Sequence, residues 1–532
     1  MQTKRSTEKD YKSLSPGRQG SAPPDQPSLS PGGADNTRSA NSKNSKDPVQ
    51  TFSISSVGVS ETRSESDLSS VETASPSSAE RVATEEKAPE KPLSPKAAKK
   101  AKQEQKDSDL ISNERWLVRN GHLLTYIGVY LFSIMVLFRP YEIVPGLGFL
   151  SGTAIYFALV TIAFYIPSQI ATEANLTTFP TEVKAVLAMT LAALISVPIA
   201  KDPGLAWESF NDPFIKAVII FVVIINVVRT RERLMGMMWV SFGIAIYLGI
   251  AALDLYSKGQ FAVEEYRIAV DVGGMFGNPN EMAMHFVMMT PIVIALGVAA
   301  ASKFWRVIYF AMAGLFVAAN MVTFSRGGFI GLIACLGVLA WKLGRRQRLG
   351  VTIASIVVGG AAMIAAPGNY GLRMLSIFIP GLDAVGSSDQ RQALLIRSLQ
   401  VTARNPWGIG IGNFPIVGYQ NLVSHNAFTQ VSSELGLLGL AAYLIFIVSP
   451  FRKLGAIERS LFDADDHSWY YYLAIGLQAS IVGYLVSSFF ASVAYNWFIY
   501  YLIGYAVAFR RIYRIEVENR EEMTPQIAVQ PA

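Results

Sequence analysis

From His122 onward the chain alternates long apolar runs with short polar breaks, and each run approaches the about 20 residues that a helix needs to cross a bilayer core. Twelve such runs can be drawn, at 122–138, 148–166, 183–200, 213–228, 234–254, 281–300, 304–322, 327–343, 349–366, 434–451, 470–488 and 492–510. The last two come from dividing one long run at "SSFFASVAYN". The pattern predicts an all-α polytopic membrane protein of about twelve transmembrane helices, with a long outer loop at 367–433 between helices nine and ten. Ahead of the first span, "STEKDYKSLSPGRQGSAPPDQPSLSPGGADNTRSANSKNSKD" is Ser-, Pro- and Gly-rich with mixed charge and almost nothing to bury. Residues 1–115 are therefore expected to form a disordered tail.

Charge placement orients the spans, because short cytoplasmic loops collect Lys and Arg. "KAAKKAKQEQKD" stands before the first span, and "RTRERL" (229–234), "SKFWR" (302–306), "KLGRRQR" (342–348), "RKLGAIER" (452–459) and "RRIYR" (510–514) recur on the same side. Both termini, including the tail 513–532, are thus expected in the cytoplasm. The exception is 167–182, which carries Glu173 and Glu182 and no basic residue, so the third crossing has the weakest support. Composition agrees: 51% hydrophobic and 16% charged residues are too apolar for an ordinary soluble enzyme of 532 residues. An excess of 46 Lys and Arg over 40 Asp and Glu matters here by placement more than by sum, and no nucleic-acid partner is expected. The single Cys335 lies in an apolar segment, which rules out an internal disulfide framework or a cysteine metal site.

Polar residues on the outer side are the ones charge topology does not explain. Arg326, in "VTFSRGGFIG", runs against the charge bias beside Gly327 and Gly328, where backbone can approach a ligand; it reads as an anion ligand or as an arginine snorkelling to headgroups. Arg267, in "EEYRIAVDVGGMFGNPNEMAMHF", has Glu264 and Glu265 as ordinary ion-pair partners, and Asn278 and Asn280 read as turn and cap residues. His425, in "SHNAFTQVSSELGLLG", is an interfacial passenger or part of an outward-facing site. His285 is a further candidate or a packed histidine, while His122 and His467 fall on the cytoplasmic side and are expected to be solvated. Arg373, Arg391, Arg397 and Arg404 of the long loop either hold an anionic substrate or pair on loop helices such as "SSDQRQALLIRSLQVTARN". Asp271, Asp383 and Asp389 are too scattered for a metal site, so no metal or other cofactor is expected.

"HNAFTQVSSELGLLG", with its His-Asn pair followed by Gly436 and Gly439, resembles the signature of bacterial O-antigen ligases and related membrane polysaccharide polymerases. "RIAVDVGGMFGNPNEMA", "FSRGGFIG" and the glycine-rich "NPWGIGIGNF" (405–414) are similar to other parts of the same superfamily, and the resemblance spans residues 120–512. It implies a bacterial inner-membrane glycosyltransferase that moves a glycan from a polyprenyl-diphosphate carrier to an acceptor hydroxyl at the periplasmic face. The acceptor would be a lipid A core sugar, another glycan repeat or a protein. It further implies that Arg267 and Arg326 bind the diphosphate and His425 is the base, with Asn426, His285 and Arg404 in support. Repeat-unit polymerases and protein O-oligosaccharyltransferases share these features, so the acceptor stays open. A transporter is the rival of another class, although transport sites sit near the bilayer midplane, where this chain has almost no charge.

Overall fold

The computed structural model describes residues 121–144, 146–261, 266–270, 272, 276–345, 349, 353, 370–375 and 387–518. Their regular elements are all helical: α1 (Leu123–Ser133), α2 (Thr153–Glu173), α3 (Thr181–Ile199), α4 (Pro203–Val227), α5 (Arg231–Ser257), α6 (Pro279–Ala299), α7 (Lys303–Val322) and α8 (Arg326–Leu343). Then come α9 (Ser387–Arg404), α10 (Ala427–Glu434), α11 (Gly436–Asp463), α12 (Trp469–Ser487) and α13 (Trp497–Tyr513). Ten of these are long and apolar enough to cross a membrane: α1 to α8, α11 and α12, with α1 continuing through a π turn to Ile143 and α12 through a 3-10 turn to Phe490. The twelfth expected span corresponds to α13, a helix of 17 residues. The ninth, 349–366, lies outside the described residues save for Leu349 and Ile353, as do Glu264, Glu265, Asp271 and Asp383. The described residues flanking the ninth sit at opposite ends of the bundle, Lys342 with Glu458 and Arg373 with the carbonyl of Phe324.

The centre is formed by α6, α12 and α13. In α6, 83% of the apolar window is buried against protein, whereas in α2 the figure is 17%, so α6 packs within the bundle and α2 presents its apolar side chains outward. Around α6 stand α7, α8 and α12, while α11 packs on α3 and α12, and α13 on α4. Small residues permit the close approaches: a Cβ on Gly331 of α8 would lie 1.9 Å from Ser487 Oγ, and one on Gly476 of α12 would lie 2.7 Å from Ala295 Cβ.

The third crossing, weakest in the charge pattern, is secured by charges from distant segments. Glu173 accepts from Arg229 Nη2 at 2.9 Å and from Arg511. Glu182, whose side chain has no solvent exposure, accepts from Arg510 Nη1 at 2.9 Å and Lys453 Nζ at 3.1 Å. The acidic loop therefore belongs to the same end of the bundle as the basic loops, and its missing cations come from α4, α11 and α13 and their flanks. At that end too, His122 is buried rather than solvated as expected, with Nε2 3.2 Å from Thr172 Oγ1. His467 is partly exposed, 3.4 Å from Asp465.

Candidate functional site

At the opposite end, the turn between α7 and α8 is held by two guanidinium groups. Arg267 Nε donates to Thr323 O at 3.2 Å, and Arg373 Nε donates to Phe324 O at 2.9 Å. Arg267 Nη2 also donates to Asn280 Oδ1 at 2.9 Å, and that same oxygen accepts from Ser325 Oγ at 2.8 Å. Ser325 Oγ in turn caps α8 by accepting from Gly328 N at 3.1 Å. The chain thus fixes the first residue of α8, Arg326. Gly327 and Gly328 serve packing rather than ligand approach: a Cβ on Gly327 would lie 2.8 Å from Phe490 Cβ, and one on Gly328 would lie 2.6 Å from Ala283 Cβ.

A second helix starts at the same place. Asn426 caps α10, its Oδ1 accepting from Phe428 N at 2.9 Å and Thr429 N at 3.1 Å. Before it, Ser424 Oγ donates to Asn426 O at 2.8 Å, and His425 adopts a left-handed conformation with φ 51°. The glycine-rich loop holds the far end of α10. Ile409 N donates to Ser433 O and Gly410 N to Glu434 O, both at 3.0 Å, satisfying carbonyls that the helix leaves open. Leu437 N, in the first turn of α11, donates to Pro406 O at 2.9 Å. The break between α10 and α11, at Gly436 with φ 74°, is therefore filled by this loop. Glu434 is buried beside it, with Oε1 accepting from Phe414 N at 3.3 Å, and burial pushes its carboxyl up to about 7.

Between the two helix starts lies a cavity of about 250 Å³ lined by Arg326, Arg391, Ser424, His425, Asn426 and the aromatic pair Phe489 and Phe490, with Ile330, Gln392 and Leu395 completing the wall. Arg391 comes from α9, which packs on α10. The N-termini of α8 and α10 both open here and add their partial positive charge to the two guanidiniums. Burial, and then the Arg391 charge, push the His425 imidazole pKa below the usual histidine value. Asn426 is 3% exposed, and its Nδ2 has no hydrogen-bond partner among the described residues, leaving a buried donor on a residue of the cavity wall.

Of the residues expected at the site, Arg326, His425 and Asn426 share this cavity. Arg267 lies outside its wall, buried at 5% exposure under the α7–α8 turn. His285 is also outside, packed in α6 against the rings of Phe276 and Phe498, with Nε2 3.3 Å from Ser241 O. Arg404 is exposed at the far end of α9 and is no part of the lining. The sequence presents Arg391 only as one of four loop arginines, and nothing in its neighbours distinguishes it. Helical spacing places Arg391 and Leu395 on one face of α9, which is the only signal for it.

The helical bundle, with a small cationic cavity at one end walled by two arginines, a histidine and two helix N-termini, is that of a polytopic membrane protein. Residues 310–444 match the family model described as O-antigen ligase, Wzy_C, and the match supports an O-antigen ligase-related family for this chain. It covers most of α7, then α8, α9, α10 and the first turns of α11, and so contains every residue of the cavity wall except Phe489 and Phe490. With it comes a glycan transfer of the ligase or polymerase type, on glycan and lipid-linked substrates. No curated protein matches the chain.

Proposed function

We propose that the protein transfers a glycan from a polyprenyl-diphosphate carrier to an acceptor hydroxyl at the periplasmic face of the bacterial inner membrane, without a metal ion. The observation that carries this reading is the shared cavity of Arg326, Arg391 and His425 at the starts of α8 and α10. Neutral His425 takes the proton of the acceptor hydroxyl, whose oxygen attacks the anomeric carbon. The bond from that carbon to the diphosphate oxygen breaks, and its electron pair leaves with the carrier diphosphate, so the anomeric configuration inverts. Arg326, Arg391 and the two helix ends offset the growing charge on the leaving group. A lowered imidazole pKa keeps His425 in its basic form near neutral pH. Arg267 serves by holding the turn that presents Arg326.

The ligase reading takes precedence over the polymerase because the matched model carries that description, and over a transporter because the cavity lies at one end of the bundle and not at its middle. The test is donor consumption and product formation by purified protein with a defined carrier-linked glycan, with and without chelator. Arg326→Ala should abolish transfer, and Arg326→Lys should restore little, because an ammonium does not reproduce the two-pronged contact of a guanidinium with a diphosphate. Full turnover in either variant removes Arg326 from the site, and loss of turnover with chelator removes metal independence. In a deletion strain, long chains missing from lipopolysaccharide while carrier-linked polymer accumulates mark a ligase, whereas accumulation of single repeat units marks a polymerase.

A further inference from the structure

A second cavity among the described residues lies away from this site. It is a groove of about 950 Å³ at the other end of the bundle, between the end of α8, the second half of α11, the start of α3 and α12. Five cations line it: Lys342, Arg345, Arg452, Lys453 and Arg459. Two carboxylates answer them. Glu458, with no side-chain exposure, receives Lys342 Nζ and Arg345 Nη2, both at 2.8 Å. Glu182 receives Lys453 Nζ at 3.1 Å but is already held by Arg510. Arg452 and Arg459 are exposed and form no ion pair among the described residues, and Arg459 Nε donates to Gly455 O at 3.0 Å. The groove therefore carries a surplus of positive charge seated on buried carboxylates that fix its walls.

The other half of the lining is apolar. Ile445, Val448, Arg452, Ala456 and Arg459 follow one another at spacings of three or four, which sets them along one face of α11. The stripe changes from aliphatic to cationic within about 10 Å, the rise of seven helical residues. Ile445 is 48% and Val448 39% exposed in the protein, as lipid-facing side chains of a spanning helix are. Gly455 lies on the same face and packs closely on Gln478 of α12, where a Cβ would lie 3.1 Å from Gln478 Oε1. We propose that this groove binds an anionic phospholipid of the leaflet opposite the glycan-transfer cavity, with the headgroup phosphate between Arg452 and Arg459 and an acyl chain along Ile445 and Val448. A soluble phosphate would use only the basic half; an amphiphile uses both.

The test uses the full chain in neutral detergent, with retention of phosphatidylglycerol and of phosphatidylcholine read by native mass spectrometry and by the shift in Tm. Phosphatidylglycerol should be retained at least about tenfold better and should raise Tm, while glycerol phosphate and pyrophosphate at equal concentration should neither raise Tm nor displace it. The double variant Arg452→Gln/Arg459→Gln should lose the preference. Ala456→Trp, which fills the groove at unchanged charge, should lose it too, with the Tm in phosphatidylcholine unchanged in both as evidence of folding. Equal retention of the two lipids, displacement by the soluble phosphates, or a preference that survives both variants would overturn the proposal.

Discussion

His425 adopts a conformation that few non-glycine residues adopt. Its φ of 51° is the left-handed region, held between the Ser424 hydroxyl and the Asn426 cap, and it sets the imidazole on the cavity wall at the helix start. If His425 is the base, His425→Ala should insert and bind the carrier-linked donor yet turn over roughly 10²–10⁴-fold more slowly. The pH profile gives a finer check. A base must be neutral, so activity falls as pH drops through its pKa; since burial and Arg391 lower that pKa, the acidic limb should lie below the ordinary histidine range. Arg391→Gln removes the repelling charge and should move this limb to higher pH, besides weakening donor binding. An unmoved limb assigns the titration to another group. Asn426 separates two roles of one side chain. Asn426→Asp keeps the acceptor that caps α10 but replaces the buried Nδ2 donor by negative charge in the cavity proposed to hold the diphosphate. Stability should hold within about 1 kcal/mol while transfer is lost, whereas Asn426→Ala should lose about 1 kcal/mol from the missing cap. The histidine, the amide and Arg326 were legible as residue types at a span boundary; Arg391 was not, because which face of α9 meets α10 is decided by folding of the whole loop.

Elements explain the glycines of the 405–414 loop and of the break at Gly436. α10 and α11 are two helices because the chain turns at Gly436, and the open ends of that break are satisfied by backbone from 406–410. Gly408 shows how tightly: with φ 88°, a Cβ there would lie 2.3 Å from Glu434 O. Gly408→Ala should therefore destabilise the protein by at least about 1–2 kcal/mol from the left-handed backbone alone, and should displace α10 and with it His425. Gly337→Ala is the contrast, since a Cβ in that part of α8 meets nothing within 4 Å, and it should be neutral or gain up to about 1 kcal/mol. Thermal melts of the two variants, read beside transfer, check this; equal behaviour would mean that the loop is not clamping the break. The motifs "NPWGIGIGNF" and "SSELG" were visible separately in the sequence, but their contact was not, because it joins segments whose meeting depends on backbone hydrogen bonds and not on side-chain type. Arg267 is the same lesson in reverse. The family resemblance implied a diphosphate ligand there, and the described contacts of Arg267 are to the carbonyl of Thr323 and to the Asn280 oxygen that also accepts from Ser325.

Across the whole molecule, hydropathy placed the spanning helices to within a few residues of most boundaries, since a bilayer demands long apolar runs whatever they pack against. What it left ambiguous was the acidic segment 167–182, because the charge rule reads loops one at a time and the compensating arginines lie on α13 and the flank of α4. Once Glu173 and Glu182 are seen paired, the segment 167–182 no longer opposes the basic segments at that end of the bundle, where the α11–α12 turn with Asp465 and Asp466 is the acidic exception, and the cavity of Arg326 and His425 lies at the other. By the bias of cytoplasmic loops toward Lys and Arg, the cavity should face the periplasm. Cysteine labelling tests this directly, because the only native thiol, Cys335, is fully buried and should stay silent. Tyr419→Cys stands near the cavity at a position 56% exposed, and Ser460→Cys is exposed near the end of α11. In intact spheroplasts a membrane-impermeant maleimide should label Tyr419→Cys and leave Ser460→Cys unlabelled until the membrane is opened. The opposite pattern would place the cavity in the cytoplasm, away from the outer-leaflet donor on which the proposed reaction depends. It would also move the basic groove to the periplasmic leaflet, so the same pair of variants fixes the side of both sites.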